Sequence, residues 1–197
     1  MELQQQGQPI PRTSTTPSKR PYLLLGGALL IVALAAFLVT WFLLRGGNAT
    51  GKVALPAVGK PAIVTEAQLH ALANQSKFPI YWAGPKRGAY ELTRASDGRV
   101  WIRYLQSPSQ VGTRMAKYLT VGTYPTKTAF VAIRRAAERP GGLSLGIADH
   151  GLLVFNTKTP TSVYFAYPRG KYQVEVYDPS PQQARSLVVA GKIQPIG

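Results

Sequence analysis

Two stretches of the sequence match known site motifs, but neither has the neighbours that its chemistry needs. Residues 46–52 spell GGNATGK, the pattern of the loop that binds nucleotide phosphates. That loop requires a preceding strand and a Ser or Thr after its lysine, whereas here an apolar run precedes it and Val53 follows. Residues 142–146 spell GLSLG, the GxSxG of serine hydrolases, yet Ser144 is predicted inside a strand rather than at a strand-to-helix turn. The sequence therefore predicts neither a nucleotide site nor a serine nucleophile.

Side chains that could bind a metal or form an acid and base pair are few. The chain has no cysteine and two histidines. Glu66 and His70 are four residues apart on a predicted helix, but two ligands do not make a zinc site, so a solvent-facing pair is expected. Asp149 and His150 follow Ser144 too closely to fold back as its triad partners. We expect no catalytic residue, no metal and no cofactor.

A basic and aromatic cluster remains as a candidate binding surface. Residues 90–95 and 99–105 are predicted to form the strands of a hairpin, with Asp97 and Gly98 as a two-residue type I′ turn. In that register one face is apolar, and the other carries the candidate anion or glycan contacts, which are Arg94, Arg99, Trp101 and Arg103. Stacking and cation–π contacts, at about 0.5–2 kcal/mol each, would hold a polyanion or a sugar ring. The alternative is a solvated face on which the arginine stems cover Trp101.

The longest uncharged run in the chain predicts a membrane span. It begins at Tyr22, ends at Leu44, and contains 23 residues, enough for a helix to cross a hydrocarbon core of about 30 Å. A cleaved signal peptide is disfavoured because its apolar part is shorter. The Lys and Arg counts on the two sides are nearly equal, but the adjacent Lys19 and Arg20 outweigh Arg45. We therefore expect a cytoplasmic N terminus and an extracytoplasmic C-terminal domain.

The charge of the chain narrows the class of partner. The formal net charge is +15, and residues 46–197 hold 19 Lys and Arg against 7 Asp and Glu, which gives +12 for that segment. Nucleic acid is the usual partner of such a domain, but an extracytoplasmic domain rarely meets it, so no nucleic-acid partner is expected. The expected partners are the lipid bilayer, through residues 22–44, and an anionic envelope polymer or a membrane protein.

The sequence divides into four segments. Residues 1–21 form a polar tail predicted to be disordered, residues 22–44 the transmembrane helix, residues 45–63 a flexible linker, and residues 64–197 one folded domain. About seven strands and three helices are predicted in the domain, with hairpins between the helices. This order indicates an α+β fold with an antiparallel sheet.

Local signals place the domain's helices and turns. Thr65 and Gln68 form a capping-box pattern at the start of a helix that ends near residue 75. Two further helices are predicted over residues 125–138 and 181–190. One hairpin is expected to turn through residues 149–151, with Gly151 supplying the positive φ. A second is expected to pair Val163 with Val176 and Phe165 with Val174.

A family resemblance rests on residues 78–92 (FPIYWAGPKRGAYEL) and the hairpin after them. There the chain resembles uncharacterised single-pass membrane-anchored proteins of high-GC Gram-positive bacteria, which have a short polar tail, one span and a small domain with a Tyr-Trp-x-Gly element. The resemblance implies no activity. We expect a membrane-anchored extracytoplasmic binding or accessory domain. The alternatives are a small envelope enzyme with an unrecognised site and a single-span subunit of a larger membrane complex.

Overall fold

A computed structural model describes residues 54–197 of the chain. The predicted tail, the predicted transmembrane helix, the GxxxxGK motif and residues 45–53 of the predicted linker lie outside the described residues. None of the helices in residues 54–197 has both the length and the apolarity that crossing a membrane requires.

The described residues form ten strands, three α-helices and one 3₁₀ turn at Pro108–Gln110. The helices are α1 (Glu66–Gln75), α2 (Ala129–Ala137) and α3 (Pro181–Val189). The strands are β1 (Ala62–Val64), β2 (Tyr81–Trp82), β3 (Ala89–Arg94), β4 (Val100–Leu105), β5 (Thr120–Pro125), β6 (Gly142–Ile147), β7 (Gly151–Asn156), β8 (Thr159–Ala166), β9 (Tyr172–Tyr177) and β10 (Gln194–Pro195).

Eight of these strands form one antiparallel sheet in the order β1-β3-β4-β5-β9-β8-β7-β6. β2 and β10 form a separate antiparallel pair. The predicted α+β class with an antiparallel sheet is confirmed, and the sheet itself has eight strands. Hairpins connect β3 to β4, β6 to β7, β7 to β8 and β8 to β9, whereas α1 and α2 lie in the long connections from β1 to β3 and from β5 to β6.

The main core covers one face of the sheet, which we call the core face. A cross-strand row of fully buried residues runs over five strands and consists of Leu92, Ile102, Val121, Val176 and Val163. Side chains of α1 and α3 belong to the same cluster. The opposite face, which we call the polar face, is covered by α2 only near β7 and β8, where Ala129 and Ile133 pack with Val154 and Ala166. The remainder of the polar face is left for the site described below.

The helix predictions agree with the structure except at one end. The Thr65 hydroxyl accepts the Gln68 N–H at 3.2 Å, and the Gln68 side chain accepts the Thr65 N–H at 2.8 Å, so the predicted capping box is formed. α2 begins at Ala129 rather than at residue 125, because Pro125 is the last residue of β5 and pairs with Tyr172.

The predicted turn of the β3–β4 hairpin is wrong by one residue. The Ala95 N–H donates to the Arg99 carbonyl at 2.8 Å, so the loop has three residues (96–98), and Gly98 has a φ of +88°. Arg94 therefore lies opposite Val100, and Thr93 lies opposite Trp101. Since successive strand residues face opposite sides, this extra loop residue moves Arg94 to the core face.

Of the other two predicted hairpins, the β6–β7 turn differs from the prediction and the β8–β9 pairing agrees with it. Asp149 and His150 have φ values of 54° and 57°, and the Gly151 N–H donates to the Ala148 carbonyl at 3.0 Å. These are features of a type I′ turn, and the positive φ falls on Asp149 and His150 rather than on Gly151 as predicted. The predicted pairs of Val163 with Val176 and Phe165 with Val174 are confirmed.

The C-terminal part of the predicted linker belongs to the domain. Ala62–Val64 forms the edge strand β1, which pairs with β3. Leu55 packs against the main core, and the Gly59 N–H donates to the Arg94 carbonyl at 2.7 Å. Contacts with the domain therefore extend back along the chain to Leu55.

Candidate functional site

An open groove of ≈ 530 Å³ lies on the polar face of the sheet. Side chains of β3, β4, β5 and β9 form its floor, and these are Glu91, Thr93, Trp101, Arg103, Thr120, Glu175 and Tyr177. The loop between β4 and β5 forms a wall through residues 112–116 and Tyr118. The strand alternation that buries the apolar row on the core face thus turns these polar and aromatic residues toward the groove.

A buried ion pair closes one end of the groove. The Arg103 Nη1 donates to the Glu91 Oε1 at 2.9 Å, and the side chains of Glu91 and Arg103 are 6% and 19% exposed. Glu91 also accepts the Gly112 N–H at 2.6 Å, and Arg103 donates to the Thr113 carbonyl at 2.7 Å. The Tyr177 hydroxyl donates to the Ala116 carbonyl. These bonds hold the irregular wall against the floor.

A hydrogen-bonded network around Glu175 forms the other end of the floor. The Glu175 carboxylate accepts from the hydroxyls of Ser162 at 2.8 Å, Tyr164 at 2.9 Å and Tyr124. The Trp101 Nε1 donates to the Tyr124 hydroxyl at 2.9 Å. Burial and the Glu175 charge raise the pKa of Tyr164 to about 12, and burial likewise raises the pKa of Tyr124. Both phenols therefore stay neutral donors at physiological pH.

Gly122 gives the Tyr124 ring the space that this network requires. A Cβ on Gly122 would lie 2.8 Å from the Tyr124 hydroxyl and 2.9 Å from its ring carbon Cε2. The ring lies across Gly122 and meets Trp101 edge to face, with the ring centroids 5.7 Å apart. The floor is consequently pre-organised by packing as well as by hydrogen bonds.

Two hydroxyls at the wall have no hydrogen-bond partner within the described residues. They are the Thr113 Oγ1 and the Tyr118 hydroxyl, and both are shielded from solvent. The Tyr118 ring lies near two cations, with the Arg103 Cζ at 5.6 Å and the Lys117 Nζ at 5.7 Å from its centroid. Because a buried polar group without a partner costs free energy, each hydroxyl would gain from a hydrogen bond if the wall moved to admit a partner.

The structure brings together three of the four residues predicted as anion or glycan contacts. Trp101 and Arg103 line the groove. The Arg99 Cζ lies 5.4 Å from the Trp101 ring centroid, and its Nε is 2.7 Å from Asp97. Arg94 is not part of this surface, because it lies on the core face and donates to the Pro56 carbonyl at 2.6 Å.

Glu91 and Glu175 both line the groove but do not form a catalytic pair of the glycosidase kind. Their strands are separated by β4 and β5, a lateral distance of about 14 Å at the usual strand spacing. Each carboxylate is held in place by different groups, Glu91 by Arg103 and Gly112 and Glu175 by three hydroxyls. Glycosidase carboxyl groups are about 5–9.5 Å apart.

The other motif residues lie apart from the groove. Ser144 is in the middle of β6, and Asp149 and His150 form the turn after it, so no nucleophile elbow is present there. His70 lies 3.8 Å from Glu66 on α1, as the sequence predicted. Within residues 54–197, no three His, Cys, Asp or Glu side chains are grouped so that they could hold a metal ion.

A second and larger cleft, of ≈ 1250 Å³, lies at the tips of two hairpins. It is lined by the β6–β7 turn with Asp149, the β8–β9 turn and the residues near β10. The hydroxyls of Tyr81 and Tyr172 in this cleft are 3.1 Å apart and bond each other. None of the four residues predicted as anion or glycan contacts lines this cleft.

Several groove residues were not identified from the sequence, although the sequence around Glu175 indicates that this residue needs polar partners. Glu175 stands between Val174 and Val176 in a strand, and a carboxylate at such a position must find partners on the polar face. Thr113 and Tyr118 carried no such signal, because their positions depend on the path of an irregular loop. The chain matches no known protein family, no curated protein sequence and no solved structure.

Proposed function

We propose that the protein is a membrane-anchored extracytoplasmic binding or accessory domain whose groove binds an anionic glycan of the cell envelope. The observation that carries the proposal is the groove itself, which combines an aromatic and hydrogen-bonding floor with the exposed cation Arg114 in its wall and Lys117 beside Tyr118. No catalytic step is assigned to it. In this proposal the span at residues 22–44 supplies the membrane anchor, and an extracytoplasmic domain rarely meets nucleic acid.

The groove residues suit a ligand with rings and hydroxyl groups. Trp101, Tyr118 and Tyr177 supply apolar ring surface, and the fixed carboxylate of Glu175 accepts hydrogen bonds. The two hydroxyls without partners, on Thr113 and Tyr118, would gain hydrogen bonds from such a ligand. A ligand that was only a polyanion would leave the carboxylates of the floor unused.

The rim explains a preference for negative charge. Arg103 is paired with Glu91 and Arg99 is paired with Asp97, so the attraction comes from the exposed Arg114 and Lys117. Neither Arg114 nor Lys117 forms an ion pair among the described residues. A cation near an anionic surface contributes about 1 kcal/mol. Reversing two rim charges should therefore weaken binding by more than tenfold.

The test measures binding of the full-length chain in detergent to three polymers. Polygalacturonate carries sugar rings and charge, dextran carries rings only, and polyglutamate carries charge only. We expect the tightest binding to polygalacturonate, and loss of that binding with Arg114→Glu and Lys117→Glu together. The matched control is Arg134→Glu with Arg135→Glu, the same charge change on the exposed side of α2.

Tyr118→Phe separates binding from stability. Removing a buried hydroxyl that has no partner should leave the unfolding free energy equal or raise it, while binding to polygalacturonate falls several-fold. If both double variants lose binding equally, net charge explains the binding and the groove does not. If polyglutamate binds as tightly as polygalacturonate, the ligand is not a glycan.

A further inference from the structure

The two edges of the main sheet are protected to very different degrees. β1, at one edge, has three residues and follows Lys60 and Pro61, and short strands, prolines and lysines are features that prevent edge pairing. β6, at the other edge, has six residues (GLSLGI) with no charge and no proline. Within the described residues only β7 pairs with it.

The side chains of β6 leave an apolar surface at this edge. Leu143 and Leu145 are 49% and 46% exposed, and both point to the core face of the sheet. α2 lies on the polar face, where Ile133 packs against Val154 of β7 and Ala166 of β8. No described element covers the two leucines or the outer backbone edge of β6 beyond Gly142, whose N–H donates to the Arg139 carbonyl.

The hydrogen bonds at the start of β6 fix which backbone groups point outward. The Gly141 carbonyl accepts from the Thr157 N–H and so points toward β7, whereas the Gly142 N–H donates to the Arg139 carbonyl and does not. Because N–H and C=O groups alternate along a strand, those of Ser144 and Gly146 point away from β7. These groups require water or another strand as partner.

We propose that β6 pairs with β6 of a second copy of this chain, antiparallel about a two-fold axis at Ser144. In this register Ser144 faces its own copy as a hydrogen-bonded pair, which agrees with the outward direction of its backbone groups. Leu143 then lies opposite Leu145 of the other copy, so four leucines meet on one side of the joined sheet. The outward backbone groups of Ser144 and the contact between the leucines therefore select the same register, as expected for an isologous interface.

The size and charge of this interface set its strength. Pairing of two six-residue strands buries less than the roughly 1,200 Å² of typical stable interfaces, so the dimer is weak and depends on concentration. The basic domains also repel each other, and salt screens that repulsion while leaving strand pairing intact. Dimerisation therefore strengthens as salt increases, which is the opposite of the salt dependence of polyanion binding.

The test uses a single cysteine, because the chain has none of its own. Ser144→Cys places two thiols across the two-fold axis at a Cα separation of about 5.5 Å, within the range of a disulfide. We expect mild oxidation of the full-length chain in detergent to yield covalent dimers. Ser109→Cys, at an exposed position of the 3₁₀ turn, is the matched control and should yield few.

Leu145→Lys tests the same interface without oxidation. It should lower the dimer fraction at least tenfold by sedimentation at high salt while the far-UV spectrum is unchanged. The proposal is overturned if Ser144→Cys crosslinks no more than Ser109→Cys. It is also overturned if Leu145→Lys leaves the dimer fraction unchanged, because association then arises elsewhere in the chain.

Discussion

Replacing the buried pair of Glu91 and Arg103 by apolar residues should destabilise the fold less than removing either partner alone. The pair has a 2.9 Å hydrogen bond, and the side chains are 6% and 19% exposed. Taking one partner away leaves the other charge with little water and with only one backbone bond, either to Gly112 or to Thr113. The remaining charge is then uncompensated.

The expected magnitudes follow from this arrangement. Glu91→Leu or Arg103→Met alone should lower the unfolding free energy by about 3–5 kcal/mol, the usual cost of breaking a buried pair. The double variant should lose about 1–3 kcal/mol, because no charge is left buried and the main cost is the Gly112 N–H without its acceptor. The coupling energy of the double-mutant cycle is therefore large, because the second substitution offsets part of the loss caused by the first.

Urea unfolding of the full-length chain in detergent, followed by near-UV circular dichroism, measures these values for the wild type, both single variants and the double variant. A matched control cycle uses the exposed pair of Asp97 and Arg99, whose atoms are 2.7 Å apart. Its coupling should be much smaller than that of the buried pair, because solvent screens exposed pairs. If the double variant at Glu91 and Arg103 loses as much unfolding free energy as the two single variants added together, the two side chains are not energetically coupled and the prediction is wrong.

Two further predictions concern the floor of the groove and alkaline pH. Gly122→Ala places a Cβ 2.8 Å from the Tyr124 hydroxyl, so we expect a loss of about 1–3 kcal/mol by urea unfolding. Gly146→Ala, whose Cβ meets nothing within 4 Å, should change the unfolding free energy by less than about 0.5 kcal/mol. Equal effects of the two substitutions would contradict the close packing of Tyr124 on Gly122. Burial and Glu175 raise the pKa of Tyr164 to about 12, whereas an unfolded tyrosine titrates near 10. The stability from keeping Tyr164 neutral is complete below about pH 10 and lost as pH rises toward 12; ultraviolet titration should show its pKa falling in Glu175→Gln, and no fall would refute the coupling.

The sequence determined those features that arise from neighbouring residues. The capping box of Thr65 and Gln68 and the pairing of Val163 with Val176 were predicted because each depends on local spacing and alternation. The antiparallel α+β class was predicted from the order of the elements, because hairpins between the helices indicate antiparallel pairing rather than βαβ units. The predicted span at residues 22–44 lies outside the described residues and remains a prediction.

Only the tertiary structure decided which residues share the groove. One extra loop residue between β3 and β4 moved Arg94 to the core face, because strand alternation converts a shift of one position into a change of side. Glu91, Glu175 and Tyr118 are far apart in the sequence and line one groove because β3, β4, β5 and β9 are neighbours in the sheet. Sequence spacing fixes the face of a residue within one strand, whereas the order and register of the strands fix its neighbours.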